Sequence, residues 1–572
     1  MSDDKRSRDE NDYDGDGFDG ADVNEHLVEG ESPRDGYATF GIQGESFGHA
    51  GEEMDLDEYV AEHVIGDDSG GPGQAAGEPA DPTERALTSG IVGDNLVDKG
   101  LSGAAARKAR RSGDPRAAAR EAEREAALRL RVREIEDEIL ARTPENNPEP
   151  SLERVRRAME LLGDPQRSFP MIHLTGTNGK TSTTRIVERI LREHGLKTGR
   201  FTSPHLHDFR ERISLDGAPV DAERLVTVWE DIEPFIAMVD HESTSAGGVR
   251  MTYFEVIVVL AYAVFADAPA DVAIVEVGLG GAWDATNVAD GAVSVITPVA
   301  LDHQRLLGDT VEDIAHEKKG IIKPGAFAVV ATQVPEVDEI LREQCLDVDA
   351  TMLREGDAYA VTAREPAVGG QMISVKGLAA EYDELFLPLF GEHQAHNAAT
   401  AIAAVEAFLG GGEQRIDDGV LRAALDDVSS PGRLEVVRRS PTVLVDAAHN
   451  PAGAQALREA LADSFQFNRL VGLVAVLADK DAEELLLALE PTLDHVVVTR
   501  NTSPRSMDPR ELGRIAAELY GDDRVTVVES LPDALDRAAG LADDEGVGGG
   551  VLATGSVVTA ADVRMLLGVT SA

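Results

Sequence analysis

The sequence predicts an α/β protein in which two α/β domains follow an acidic N-terminal extension. After residue 170, short β-branched segments at 171–174, 272–277 and 293–297 alternate with helical segments, as in a mostly parallel sheet. A composition break at 429–432, Ser-Ser-Pro-Gly, precedes a second set of strand-like segments: 442–445, 470–476, 495–499 and 524–528. The predicted division is an extension at 1–113, a larger domain at 114–432 and a smaller, Rossmann-like domain at 433–572.

The bulk composition limits the partners of the chain. It has 572 residues, 104 acidic against 54 basic, and a net charge of −50, which repels nucleic acid and anionic lipid. The single cysteine, Cys345, leaves no intramolecular disulfide. The first residues are charged, and the longest apolar run, 256–265, is too short to span a bilayer. We therefore expect a cytoplasmic protein without nucleic-acid or membrane partners.

The N-terminal elements follow from local composition. Residues 1–113 are rich in Asp, Glu and Gly and lack regular apolar spacing, so we expect disorder there. Residues 114–141 have the composition and spacing of a helix. The proline-rich stretch 144–150 breaks that helix, and Ser151 is expected to cap a second helix at 152–162.

A phosphate-binding loop is predicted between the first strand and the next helix. Residues 176–182 read Gly-Thr-Asn-Gly-Lys-Thr-Ser. The glycines let backbone N–H groups surround phosphate oxygens, and the helix N-terminus adds positive charge. Lys180 would reach the β- and γ-phosphates, while Thr181 or Ser182 would offer a hydroxyl to Mg²⁺. Leu174 stands where the common P-loop has its first glycine, so the match is to a shorter form.

Three later residues suit a metal site near this loop. Glu276 ends an apolar strand beside a Gly-rich loop, which places its carboxylate at the C-terminal edge of the sheet. His303 follows the strand at 293–297, and Lys318 lies in a segment reading Ala-His-Glu-Lys-Lys-Gly-Ile. Taken singly, such a histidine or lysine is usually a surface group, so the hypothesis depends on their combination.

Together these segments resemble the Mur ligase superfamily. Residues 175–182 look like its P-loop, while 201–206, Phe-Thr-Ser-Pro-His-Leu, and 211–213, Glu-Arg-Ile, point to the dihydrofolate synthase/folylpolyglutamate synthase family. The resemblance covers roughly 134–572. Thr181 stands where this branch commonly has glycine, and Ala282 where it usually has arginine, which removes a positive charge near the expected substrate.

The resemblance implies a Mur-ligase-like P-loop ATPase domain, two Mg²⁺ ions and a carbamylated Lys318. The implied catalytic residues are Lys180, Glu276, His303 and Lys318. The implied metal ligands are Thr181, Ser203, Glu276, His303 and Lys318. The implied ATP-binding residues are Gly176, Thr177, Asn178, Gly179, Lys180, Thr181, Ser182, Asn397, Arg433, Asp446 and His449. The implied pterin-binding residues are Thr252, Tyr253, Phe254, Glu255, Trp283, Asp284 and Ala285.

The implied activity is an ATP-dependent ligase that joins L-glutamate to a folate-type carboxylate through an acyl phosphate, releasing ADP and phosphate. The acceptor would be dihydropteroate, the γ-glutamyl tail of tetrahydrofolates, or both, and the family habit is a monomer. Two alternatives stay open. One is a ligase that adds an amino acid to a UDP-muramyl peptide, and the other is a nucleotide-binding protein without turnover.

Overall fold

The computed structural model describes residues 115–143, 151–543 and 548–569, so the predicted acidic extension lies outside the described residues. The helices, numbered in chain order, are α1 Pro115–Leu140, α2 Glu153–Leu161, α3 Lys180–Glu193, α4 Ala222–Ser245, α5 Tyr253–Asp267, α6 Gln304–Leu307, α7 Val311–Lys318, α8 Pro335–Asp347, α9 Glu392–Gly410, α10 Asp418–Asp426, α11 Pro451–Ser464, α12 Ala482–Leu489, α13 Pro509–Tyr520, α14 Leu531–Asp543 and α15 Val557–Leu566. The strands are β1 Met171–Thr175, β2 Thr198–Phe201, β3 Ile213–Leu215, β4 Ala218–Pro219, β5 Val272–Glu276, β6 Val293–Ile296, β7 Phe327–Val330, β8 Thr351–Arg354, β9 Ala360–Ala367, β10 Gly370–Lys376, β11 Glu381–Leu387, β12 Glu435–Arg439, β13 Thr442–Val445, β14 Arg469–Val474, β15 His495–Val498, β16 Val525–Val527 and β17 Gly549–Thr554.

The first domain is built on an eight-stranded sheet in the order β4-β3-β2-β5-β1-β6-β7-β8. The strands from β2 to β8 in this order run parallel, and β3 and β4 form an antiparallel edge. Leu174 of β1 pairs with Glu276 of β5, and Thr175 pairs with Ile296 of β6. The carboxyl ends of these three central strands are therefore level, and the loops that follow them meet at one edge.

The N-terminal helices pack on this domain largely as predicted. Helix α1 buries Val132, Ile135 and Ile139 in the same core as α5. Helix α5 is apolar on nearly every face and is buried, as expected for the apolar run at 256–265. The predicted cap of α2 was wrong. Leu152 is the N-cap and makes no side-chain cap bond. The Ser151 hydroxyl instead lies before the N-cap and accepts the N–H of Glu153 (3.2 Å), the first residue of the helix.

The second domain contains a six-stranded sheet in the order β12-β13-β17-β14-β15-β16. It is parallel except for the β12–β13 pair, so the predicted Rossmann-like character is confirmed. A separate antiparallel sheet, β11-β10-β9, was not predicted. Its Gln371 side chain donates to the carbonyls of Leu389 and Gly391 just before α9, which fixes the start of that helix.

The two domains touch at several points. Phe390 packs against Phe465 at 4.8 Å between ring centroids, and Arg364 pairs with Asp463. Lys480 Nζ lies 2.5 Å from the Asp302 carboxylate. Among the described helices, none is both long enough and apolar enough to cross a membrane.

Candidate active site

The cleft between the domains has a volume of about 1990 Å³, and the predicted P-loop lines part of it. Gly176 has a φ of 143°, and a Cβ there would lie 1.9 Å from Thr297 Oγ1. Gly179 has a φ of 90° and caps α3. Both positions demand glycine, because a side chain would collide or force a strained backbone. The loop therefore presents its backbone at the N-terminus of α3.

Two lysines, the half-buried Lys180 and the buried Lys318, converge on the P-loop. Lys180 Nζ donates to the carbonyls of Gly176 and Thr177, both at 3.0 Å. Lys318 Nζ donates to the same Gly176 carbonyl at 2.8 Å. Burial, together with the Lys180 charge, lowers the pKa of Lys318 to about 7, and burial also lowers the pKa of Lys180. Two amines on one carbonyl form a centre that favours anions.

Glu276 lies beside this centre and hydrogen-bonds to Thr181, one of the two residues, Thr181 and Ser182, whose hydroxyl was predicted to approach Mg²⁺. Thr181 Oγ1 donates to the Glu276 carboxylate, 3.0 and 3.1 Å from its two oxygens. Ser203 N–H lies 3.4 Å from the same carboxylate. Ser182 points away, with its hydroxyl 2.9 Å from that of Ser430. Burial raises the pKa of Glu276, and the Lys180 charge opposes that rise.

His303 is the N-cap of α6, in a left-handed conformation (φ 52°), and its side chain is 42% exposed and lines the cleft. Desolvation lowers the pKa of His303 to about 4, opposed by the adjacent Asp302 carboxylate. A neutral imidazole can bind a metal ion or accept a proton.

Asp302 joins the first domain to three residues of the second. Its carboxylate accepts from Lys480 Nζ (2.5 Å) and Asn450 Nδ2 (2.9 Å), and it lies 3.4 Å from His449 Nε2. Although burial raises its pKa, the His449 hydrogen bond and the neighbouring cations hold the pKa of Asp302 far below its usual range. The sequence analysis did not single out Asp302, Asn450 or Lys480 as site residues.

The P-loop itself also contacts the second domain. Asn178 and Asn450 exchange two amide hydrogen bonds, each of 3.2 Å. Asn450 is the N-cap of α11, whose positive end therefore faces the P-loop. No local pattern could have revealed this pair, because 272 residues separate its members.

The other predicted nucleotide residues line the same cleft. The Asn397 amide oxygen would lie 2.6 Å from a Cβ on Gly179, so Asn397 packs on the P-loop. Asp446 accepts the N–H groups of Leu434 (2.8 Å) and Ala448 (2.7 Å). Burial raises the pKa of Asp446, opposed first by the nearby Arg433 charge. His449 Nδ1 lies 2.9 Å from the Ala447 carbonyl.

The first predicted pterin segment is only partly exposed to the cleft. Phe254 lines it, with its ring so close to Gly278 that a Cβ there would lie 2.2 Å from the ring. Thr252 and Glu255 form the capping box of α5, and Glu255 also pairs with Arg154. Tyr253 is buried, with the Arg212 guanidinium 5.4 Å from its ring centre.

The second predicted pterin segment closes the Gly-rich loop after β5. Trp283, Asp284 and Ala285 line the cleft. Asp284 accepts the Leu279 N–H (2.9 Å) and the Thr286 hydroxyl (2.5 Å), which fixes the loop. The side-chain amide of Asn287 donates to the Ala282 carbonyl at 3.0 Å. This bond fixes the backbone at Ala282, the position where the family usually has arginine.

Oxygen donors of Glu276 and Thr181 meet part of what Mg²⁺ requires. Within the described residues, no group of three or more His, Cys, Asp or Glu side chains is arranged to hold a metal ion. Mg²⁺ retains several waters and commonly uses one or two carboxylates with substrate phosphates, so Glu276 and Thr181 fit one such ion beside a nucleotide. An amine such as that of Lys318 cannot ligate Mg²⁺ unless it is converted into an oxygen ligand.

The comparisons with known proteins agree with this geometry. Residues 224–405 match the Mur ligase middle domain, and residues 432–557 match the Mur ligase glutamate ligase domain. The chain is 49% identical over 447 residues to the dihydrofolate synthase/folylpolyglutamate synthase of Mycobacterium tuberculosis, covering 75% of this chain and 92% of that one.

Two solved structures extend the likeness to the fold. The Mycobacterium tuberculosis folylpolyglutamate synthase complexed with ADP and AMPPCP has a TM-score of 0.73 at 47% identity, covering 77% of this chain and 99% of that one. An FPGS–AMPPCP–folate complex has a TM-score of 0.66 at 29% identity, covering 76% and 99%. The chain therefore belongs to the Mur ligases and, within them, to the dihydrofolate synthase/folylpolyglutamate synthase family.

Proposed function

We propose that this chain is an ATP-dependent ligase that adds L-glutamate to a folate-type carboxylate. The acceptor is dihydropteroate, the γ-glutamyl tail of a tetrahydrofolate, or both. The observation that carries the proposal is a single cleft lined by the P-loop, by Lys180 and Lys318, and by the aromatic side chains of Phe254 and Trp283. The names of the relatives, which include an AMPPCP–folate complex, support the same substrates.

The proposed reaction has two steps. A carboxylate oxygen of the acceptor attacks the γ-phosphorus of ATP, so that an acyl phosphate forms and ADP leaves. The α-amine of glutamate then attacks the acyl carbon, loses a proton and expels phosphate, leaving an amide. Both steps depend on positioning and charge neutralisation, which Lys180 and the P-loop N–H groups supply.

The nucleotide is proposed to lie between the two domains. Its phosphates are proposed to bind to residues 176–182. The rest of the nucleotide would contact four further residues: Asn397, Arg433, Asp446 and His449. All of these residues line the cleft. We also propose that the chain divides into domains at 114–432 and 433–572, that it is cytoplasmic, and that it is a monomer.

Magnesium is proposed to bind at Glu276, Thr181 and Ser203, with a second ion at Glu276, His303 and a modified Lys318. Bound Mg²⁺ neutralises the charge of the transferring phosphoryl group. The geometry supports Thr181 rather than Ser182, because Thr181 already bonds to Glu276.

Lys318 is proposed to carry CO₂ as a carbamate. Its neutral amine adds to the carbon of CO₂ and releases one proton, which replaces an ammonium with a carboxylate-like ligand. A pKa of about 7 supports this step, because a substantial fraction of the amine is then neutral near pH 7.

The function is tested by ATP-dependent incorporation of labelled glutamate, with dihydropteroate and tetrahydrofolate offered separately. Product on both acceptors would establish both activities, and product on one would name a single activity. ADP release with a UDP-muramyl substrate and no folate product would refute the folate assignment.

The carbamate is tested with Lys318→Ala. We expect loss of ligation and partial recovery with short carboxylates such as acetate, because these can occupy the position of the carbamate. Lys319→Ala is the matched control, since Lys319 is adjacent but half-buried outside the Gly176 contact. Full activity of Lys318→Ala without added carboxylate would refute the proposal.

A further inference from the structure

His205 is a cleft residue to which the proposed mechanism gives no role. It belongs to the loop after β2 and lines the cleft together with Phe254 and Thr252. Its Nδ1 lies 2.9 Å from Arg212 Nε. Among the residues that the structure describes, His205 Nε2 has no hydrogen-bond partner.

The contact with Arg212 fixes the tautomer of this imidazole. A guanidinium has only donors, so Nδ1 must accept the Arg212 N–H and cannot itself carry a proton. The single proton of the neutral ring is then on Nε2. His205, which lines the cleft, therefore carries its N–H donor on Nε2.

The loop that carries His205 is held rigidly. The buried Glu211 carboxylate accepts the N–H groups of Leu206 (2.8 Å), His207 (3.2 Å) and Asp208 (3.1 Å). A donor on a fixed loop loses little entropy when a ligand binds, so it can discriminate between ligands.

Neighbouring contacts link His205 to Tyr253 and Phe254, the aromatic residues of the first predicted pterin segment. Arg212, which bonds to His205, also lies over the Tyr253 ring, next in sequence to Phe254. Phe254 is also 5.9 Å from Phe201, four residues before His205. An aromatic face with a polar donor at its edge suits a flat heterocycle that carries hydrogen-bond acceptors.

We infer that His205 is a specificity-determining residue for the acceptor, and that its Nε2–H donates a hydrogen bond to a ring nitrogen or carbonyl oxygen of the heterocycle against Phe254. Arg212 is the positioning residue that keeps the proton on Nε2. The inference rests on the proposed folate ligase function.

The test is a pair of variants that separate the two ring nitrogens. His205→Asn keeps an acceptor near Nδ1 for Arg212 but removes the distal donor. His205→Gln places an amide N–H₂ near the position of Nε2. His207→Asn is the loop control, because His207 contacts Arg564 instead of lining the cleft.

Glutamate incorporation is measured for each variant at varied dihydropteroate, ATP and glutamate, together with a melting curve. Loss of one neutral hydrogen bond corresponds to about a five- to tenfold rise in KM. We expect this rise for dihydropteroate in His205→Asn, with the KM for ATP unchanged and with recovery in His205→Gln. His207→Asn should keep the wild-type KM for dihydropteroate.

Three results would overturn the inference. An unchanged KM for dihydropteroate in folded His205→Asn would refute it, as would equal impairment of His205→Gln and His205→Asn when both melt like the wild type. Equal impairment of His207→Asn would mean that only the loop had been disturbed. In all three cases the wild type still ligates glutamate, whereas a wild type that makes no folate product would refute the proposed function itself.

Discussion

The choice between Thr181 and Ser182 can be tested directly. Thr181→Val keeps the size of the side chain and removes the hydroxyl that donates to Glu276 at 3.0 Å. The contact of an oxygen with a charged group contributes about 1.5–3 kcal/mol, so loss of the Thr181 oxygen from bound Mg²⁺ should lower kcat/KM roughly 10- to 150-fold. Ser182→Ala removes a neutral bond between two buried hydroxyls, those of Ser182 and Ser430 (2.9 Å). Its effect on kcat/KM should stay below about threefold.

The assay is glutamate ligation at varied ATP and varied Mg²⁺. Thr181→Val should lower kcat/KM for ATP and raise the Mg²⁺ concentration needed for half-maximal rate, because a metal-binding oxygen is lost. Ser182→Ala should mainly lower the melting temperature. Wild-type kinetics in Thr181→Val, combined with severe loss in Ser182→Ala, would refute the assignment.

Two further predictions concern stability. Asp302→Asn should lower the free energy of unfolding by about 3 kcal/mol, because it leaves the buried Lys480 cation unpaired, and Asp302→Asn/Lys480→Met should recover part of that loss in urea unfolding. Equal melting temperatures of Asp302→Asn and the wild type would contradict the expected loss of stability. The Glu355 hydrogen bond raises the pKa of His396, so this pair stabilises the fold when His396 is protonated, and the stability is lost as pH rises through the raised pKa. His396→Asn should therefore lower the melting temperature more at about pH 6 than at about pH 9, and a pH-independent difference would exclude this role.

Much of the site was predictable because its parts follow strands. The P-loop follows β1, Glu276 is the last residue of β5, and His303 follows β6; parallel strands bring such positions to one edge of the sheet. The parallel character of both sheets follows from the same alternation of strands and helices. The observed strand ends differ from the predicted ones by only one or two residues; β5, for example, ends at Glu276 instead of residue 277.

The parts that were missed have different physical causes. The β9–β11 sheet has weak alternation and a proline in β9, so neither a helical nor a strand period was evident. Ser151 is not the N-cap, because Leu152 follows it and its hydroxyl accepts the N–H of Glu153, the first residue of the helix. The Asp302–Lys480 pair joins residues 178 positions apart. Such a pairing arises from packing of the two domains and leaves no trace in local sequence.

The reciprocal amide bonds between Asn178 and Asn450 have a thermodynamic consequence. One partner is in the loop proposed to bind phosphate, and the other caps a helix of the second domain. Any ligand that draws the domains together then also favours the bound shape of the loop, and linkage requires the converse by the same factor. A nucleotide on this loop and any ligand that bridges the two domains would thus raise each other's affinity through contacts that neither of them makes.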